Sequence, residues 1–101
     1  VSLKQGREEG LRPQIYTHPL GTFGHSAGTT LGMWDSQNGV PVTGDYPVHV
    51  NTSYAIELNT TVFIPNWNKD IRIMLEEAGF FGEDGFRYVN KRQEKLLLIG
   101  K

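Results

Sequence analysis

The stretch Ser53-Tyr54-Ala55-Ile56-Glu57-Leu58-Asn59-Thr60-Thr61-Val62-Phe63-Ile64 decides the fold of this chain. Apart from position 60, every second residue is large and apolar: Tyr54, Ile56, Leu58, Val62 and Ile64. The positions between them are mostly polar. Because successive side chains of a β-strand point to opposite faces, this period predicts a single long strand with one buried face.

Further strands are predicted on the C-terminal side of this stretch. Residues 65–69 indicate a turn, and residues 70–76 then alternate with Ile71, Ile73 and Leu75 on one face. The sequence Gly82-Glu83-Asp84-Gly85 is typical of a second turn. We expect residues 86–89 and 95–99 to be closing strands, with the apolar run at 96–99 buried.

The N-terminal half predicts one helix and a series of turns. Residues 2–10 fit a short helix that begins at Ser2 and stops at Gly10, with Pro13 beyond it. Glycine and proline interrupt any helical period over residues 17–47, so short strands joined by turns are expected there, followed by a long loop over 37–47. The expected class is α+β, a mostly antiparallel β-sheet with a short N-terminal helix.

Composition narrows the possible functions. The 101 residues suit one small domain, and the 38% apolar share is enough for a core. A net charge of −1 gives no electrostatic reason to expect nucleic acid or an anionic membrane surface as a partner. No apolar run approaches the ~18–20 residues of a membrane span. The absence of cysteine excludes disulfides and thiolate-ligated metals.

His18 and His25 form the first cluster that can carry chemistry. Pro19 excludes a helix there, and on a flat strand an odd separation would place the two rings on opposite faces. A bend, which Gly21 and Gly24 permit, would direct both rings into one cavity. Without such a bend, they are two surface histidines.

Glu57 and Glu76 form the second cluster. Each lies on the more polar face of its strand, whereas Glu77 falls on the face of Leu75. If both strands share a sheet, the two carboxylates can converge, and they then repel unless a proton or cation lies between them. Divalent ions prefer such oxygen ligands, and a histidine nitrogen would complete a mixed set. The alternative is two solvated glutamates.

The ordered set of His18, His25, Ile56-Glu57 and Glu76 resembles the pita-bread metallopeptidases, which include methionine aminopeptidase, prolidase, Xaa-Pro aminopeptidase and creatinase. The resemblance spans roughly residues 11–99 and is closest to the Xaa-Pro aminopeptidase and dipeptidase type. It implies the C-terminal portion of a pita-bread fold. It also implies metal-ligand roles for His18, Glu57 and Glu76, and catalytic roles for His25 and Glu57.

The function that the resemblance implies is metal-dependent hydrolysis of Xaa-Pro peptide bonds. Two divalent ions, manganese, cobalt or zinc, would activate a water for attack on the scissile carbonyl. Glu57 would relay a proton to the leaving nitrogen, and His25 would hydrogen-bond the substrate. The expected partner is a peptide with proline in its second position. Whether the chain also forms a homo-oligomer is left open.

This sequence also departs from the family pattern. Leu58 stands where the family has proline, and Met74 stands where it has arginine, although a shift of two residues would align Arg72 and put Met74 at the ligand position instead of Glu76. The family also needs two aspartates before the first histidine, and residues 1–17 contain none.

The missing aspartates decide what we expect of the chain itself. We expect residues 1–101 to be a C-terminal fragment of a catalytic domain, inactive alone and with at most partial metal binding. A non-catalytic pita-bread-like binding or interaction module is the alternative. A third hypothesis, an independent β-rich interaction domain, predicts that the histidines and glutamates do not cluster.

Overall fold

A long antiparallel pair of strands forms the centre of the molecule. The computed structural model describes residues 2–100. Within them, the elements follow in the order α1 (Ser2–Glu8), β1 (Arg12–Pro19), β2 (Thr52–Ile64), β3 (Lys69–Gly82) and β4 (Gly85–Tyr88). The four strands form one antiparallel sheet in the order β1-β2-β3-β4. The expected α+β class, with a short N-terminal helix, is confirmed.

The turn between β2 and β3 sets the register of the central pair. Pro65 begins a single 3-10 turn, because the fixed φ of proline suits the first helical position. Asn68 ends the turn in the left-handed conformation with φ of 48°. Ile64 therefore pairs with Lys69, and every later pair along the two strands follows from this one. Glu57 lies directly opposite Glu76 as a result.

The register sorts the side chains into two faces, because directly opposed residues of neighbouring strands share a face. What we call the polar face carries Tyr16, His18, Ala55, Glu57, Asn59, Met74 and Glu76. What we call the apolar face carries Ile15, Thr17, Tyr54, Ile56, Leu58, Ile73 and Leu75. Glu77 pairs with Ile56 on the apolar face, as its parity predicted.

The buried core is small and lies at one end of the sheet. Among residues 2–100, the buried apolar side chains are Tyr54, Ala55 and Pro19. The long segment between β1 and β2 covers the apolar face near Tyr54, where Leu31 and Val48 help to enclose an apolar cavity. Toward the start of β3 this cover ends, and Leu75 is 54% exposed. The sheet therefore has one covered end and one open end.

Two side chains attach the long segment to the edge strand β1. The backbone N–H of Leu31 donates to the Thr17 hydroxyl at 2.9 Å. The amide of Gln37 accepts from the N–H of Ile15 at 3.0 Å and donates to the carbonyl of Ile15 at 3.0 Å. The Gln37 side chain thus takes the place of a neighbouring strand at Ile15, because it pairs the N–H and the C=O that this edge residue would otherwise leave without a partner.

Replacing Gln37 with alanine is expected to destabilise the fold by about 1–3 kcal/mol, because it leaves the Ile15 backbone groups unpaired beneath the loop. Urea denaturation would measure the loss, and amide hydrogen exchange should accelerate at Ile15. Replacing the exposed neighbour Asn38 with alanine is the control and should change neither quantity. Equal effects of the two substitutions would contradict the role of the Gln37 amide.

Two predictions from the sequence are corrected by the structure. The closing strand expected over residues 95–99 is wrong: the chain leaves the sheet after Tyr88, and Leu98 and Ile99 are 92% and 100% exposed. The continuous apolar run at 96–99 predicts burial, but no described strand pairs with it. Short strands are also expected from residue 17 up to the loop at 37–47, but after β1 ends at Pro19 the structure has only isolated bridges there, at Phe23–His25 and Met33–Ser36.

The helix α1 is short and lies against the start of β1. Gly10, with φ of +80°, follows it in the conformation that favours glycine, in agreement with the predicted stop. A side chain at Gly6 would approach Pro13 to 3.0 Å, which shows how closely the helix approaches β1. No helix within the described chain has the length and apolar character needed to cross a bilayer.

Candidate functional site

His18 and Glu57 meet on the polar face of the sheet. His18 is near the end of β1, and Glu57 is on the adjacent strand β2, opposite Tyr16. His18 Nε2 lies 3.6 Å from Glu57 Oε1. Their side chains are 16% and 21% exposed, so the pair is partly shielded from solvent yet open to a ligand.

A backbone contact defines the tautomer of neutral His18. His18 Nδ1 lies 3.0 Å from the carbonyl oxygen of Pro19. Because a carbonyl oxygen only accepts hydrogen bonds, Nδ1 carries the proton in this contact. In the neutral ring Nε2 then keeps its lone pair and faces the Glu57 carboxylate. A hydrogen bond of this kind, on the nitrogen that does not bind, commonly orients histidines that ligate metals.

His25 returns to His18 through a tight turn. The N–H of Gly24 donates to the carbonyl of Gly21 at 3.0 Å, and the N–H of Ser26 donates to the carbonyl of Pro19 at 3.0 Å. Gly24 has φ of +91°, a conformation that glycine adopts freely. The two imidazole rings stack, with centroids 4.4 Å apart and planes at 27°. The bend that the glycines permitted in the sequence is therefore present.

Glu76 lies on the third strand, directly opposite Glu57. As the direct partner of Glu57, it places its Cβ about 4.5–5.5 Å from that of Glu57. Both glutamates line a cavity of about 180 Å³. Like charges at directly opposed positions repel each other, so a cation between these carboxylates would be favoured. Met74, the competing candidate for the second ligand, lies opposite Asn59 at the next position along this face.

The donor set suits a divalent ion in kind but is incomplete in number. An imidazole nitrogen and carboxylate oxygens are ligands that manganese, cobalt and zinc accept. Over residues 2–100, however, no group of three or more histidine, aspartate or glutamate side chains is arranged closely enough to hold a metal ion. His18 and Glu57 are in contact, and Glu76 is exposed beside them.

Tyr16 is a cavity residue that the sequence reasoning did not identify. It lines the same small cavity as Glu57 and Glu76, and it is the cross-strand partner of Glu57. The signal was its position two residues before His18, which places both on one face of a strand. It was missed because residues 12–17 were not predicted to form a strand.

No family model, curated protein sequence or solved structure matches this chain. The geometry of the polar face is therefore the basis on which a function can be assigned.

Proposed function

We propose that the polar face contributes His18, Glu57 and Glu76 to the metal site of a peptidase that resembles the pita-bread metallopeptidases, of the Xaa-Pro aminopeptidase or dipeptidase type. The observation that carries this proposal is the approach of His18 Nε2 to Glu57 Oε1 at 3.6 Å, with Glu76 directly across the strand pair. His18 and Glu57 are far apart in the sequence and are in contact here, and Glu76 lies on the adjacent strand.

The three side chains have distinct tasks in this proposal. His18 would bind through Nε2, the nitrogen left free by the contact of Nδ1 with Pro19. Glu57 and Glu76 would supply carboxylate oxygens from the neighbouring strands β2 and β3. Two divalent ions of manganese, cobalt or zinc, when bound there, would lower the pKa of a water so that hydroxide is available near neutral pH.

The chain's own groups would then position the substrate and transfer a proton to its leaving nitrogen. Glu57, partly shielded and adjacent to His18, can accept a proton and deliver it to the leaving nitrogen of the peptide. The exposed ring of His25 can donate a hydrogen bond to the substrate carbonyl oxygen. Where such a donor acts in the transition state, its contribution is about 3–4 kcal/mol.

Hydrolysis of an Xaa-Pro peptide tests the proposed function. We expect a longer protein, in which residues 1–101 follow a hairpin that bears two aspartates, to release the N-terminal amino acid from such a peptide when manganese is present. Replacing His18 with glutamine should remove that activity. Replacing Glu83, in the turn after β3, with glutamine is the control and should leave the activity unchanged. Full activity of the His18→Gln protein would contradict the proposal.

The 101-residue chain alone is expected to show no Xaa-Pro hydrolysis above the uncatalysed background, even with added manganese. The reason is that residues 1–17 hold no aspartate, so the chain supplies three of the ligands that the family uses. A chromatographic assay for the released N-terminal amino acid would measure this. Turnover that disappears in the Glu57→Gln chain would show that these 101 residues are sufficient.

A non-catalytic binding module is the second candidate. It is favoured by the absence of aspartate from residues 1–17 and by the lack of a complete group of metal ligands in the described part of the chain. Such a module would bind peptide equally well with and without a divalent ion. The peptidase would bind metal first, so a comparison of peptide binding with and without manganese separates the two functions.

A further inference from the structure

A cleft of about 530 Å³ lies where helix α1 meets the polar face of the sheet. Residues from α1, the first three strands and the long loop line it: Arg7, Leu11, Arg12, Pro13, Gln14, Gln37, Asn59, Thr61 and Arg72. This lining contains three arginines and no carboxylate, although the chain as a whole has a net charge of −1. We call it the arginine cleft.

The register of the sheet places two of these arginines side by side. Arg12 on β1 pairs with Thr61 on β2, and Thr61 pairs in turn with Arg72 on β3. Strands are about 4.8 Å apart, so the two arginine Cα atoms lie about 10 Å apart across three strands. Arg7 reaches the same cleft from the last turn of α1. Three separate elements therefore direct guanidinium groups to one place.

Next to the arginines, the floor of the cleft is a closed amide network. Asn59 is only 2% exposed, and its amide donates to Gln14 Oε1 at 3.1 Å. The amide of Gln14 donates in turn to the carbonyl of Trp34 at 3.2 Å. The Gln14 amide is therefore engaged on both its oxygen and its nitrogen, and the charged groups that line the cleft are the guanidinium groups.

The charges in the cleft are only partly balanced. Arg12 forms an ion pair with Asp70, and this hydrogen bond raises the pKa of Arg12. Arg7 and Arg72 form no ion pair with any residue from 2 to 100. Two positive charges thus remain without a counter-charge within one cleft, and a dianion would balance both.

We propose that the arginine cleft binds a phosphate dianion, either as inorganic phosphate or as the phosphate group of a small phosphomonoester. A phosphate monoester carries about −1.5 to −2 charges at pH 7, which matches the two unbalanced arginines. Guanidinium groups donate paired hydrogen bonds to phosphate oxygens in a fixed planar geometry. A monocarboxylate would leave one of the two arginines without a counter-charge.

This site is independent of the proposed peptidase site. It uses none of His18, His25, Glu57 and Glu76, and it requires no metal. The two sites nevertheless share the polar face, since Asn59 in the cleft is two residues from Glu57 on β2. Phosphate binding in a metal-free sample can therefore be measured separately, and its presence or absence does not depend on peptidase activity.

NMR titration of the isotope-labelled 101-residue chain, in metal-free buffer at constant ionic strength, tests the proposal. Inorganic phosphate and O-phosphoserine are the two probes, and acetate is the control anion. We expect saturable shifts of the Arg7 and Arg72 side-chain signals with a phosphate probe and not with acetate. Tighter binding of O-phosphoserine would identify an organic phosphomonoester as the ligand class, and equal or tighter binding of inorganic phosphate would identify the free ion.

Variants of exposed arginines make the test specific. Replacing Arg72 with glutamine is expected to weaken phosphate binding about tenfold, because it removes a charge-assisted donor pair. Replacing Arg92 with glutamine should leave the affinity for phosphate unchanged, because Arg92 lines a different cavity beside the C-terminal segment. The proposal is overturned if the shifts do not saturate, if acetate produces the same shifts, or if both variants weaken binding equally.

Discussion

Replacing Glu57 with glutamine is expected to weaken divalent-metal binding by this chain at least about 100-fold. Loss of a residue that merely supports a metal ligand commonly costs 10–100-fold in affinity, and Glu57 is proposed as a ligand itself. The substitution keeps the size of the side chain but removes the negative charge beside His18 Nε2. It also relieves the repulsion between Glu57 and Glu76 that favours a cation between them.

Manganese broadening of histidine NMR signals would measure this effect even where affinity is modest. In the unchanged chain, added manganese should broaden the ring signals of His18 and His25 before that of His49. Glu77→Gln is the matched control, because Glu77 is one residue from Glu76 but pairs with Ile56 on the apolar face. If Glu77→Gln weakens binding as much as Glu57→Gln, the polar face is not the metal site.

Replacing Tyr54 with alanine is expected to cost about 3–5 kcal/mol of folding free energy, the usual loss for a buried aromatic side chain. Tyr54 is 8% exposed and is the largest of the buried apolar residues in the described chain. It packs at the covered end of the sheet, where the long segment contributes Leu31. Because small domains have only about 5–15 kcal/mol of stability, much of the protein should be unfolded.

Urea denaturation followed by circular dichroism would measure the change. Phe63→Ala is the matched control: it removes an aromatic ring from the same strand, but Phe63 is 51% exposed, so the loss should be under about 1 kcal/mol. Tyr54→Phe keeps the ring and should retain most of the stability. Equal destabilisation by the two alanine substitutions would show that the covered end of the sheet is not the core.

Much of the polar face could be predicted from the sequence because its signals are local. Alternation over residues 53–64 and 70–76 assigned Glu57 and Glu76 to the polar side and Glu77 to the opposite one, and the register of β2 and β3 agrees. The glycines after His18 indicated where a bend could occur, and His25 does stack on His18. In each case the deciding geometry arises within about seven residues of the chain, so a sequence pattern can express it.

Other features depended on contacts between distant segments. The Gln37 amide closes the edge of β1 at Ile15, 22 residues away, and nothing around Gln37 distinguishes it from an ordinary loop glutamine. The apolar run at 96–99 is typical of a buried strand, yet Leu98 and Ile99 are 92% and 100% exposed, and the run pairs with no described strand. Sequence patterns describe what a segment prefers, and they do not supply its partner.

By itself, the sequence determined the class of the fold, the long strand β2, the first half of β3 and the faces on which Glu57, Glu76 and Glu77 lie, since the two-residue period of a strand is a local property. Only the tertiary structure decided which residues meet. The turn that ends at Asn68 pairs Ile64 with Lys69, and this single pairing aligns Glu57 with Glu76 and Thr61 with Arg72. A different register would have separated the glutamates and dispersed the arginine cleft, because each slip moves every cross-strand pair at once.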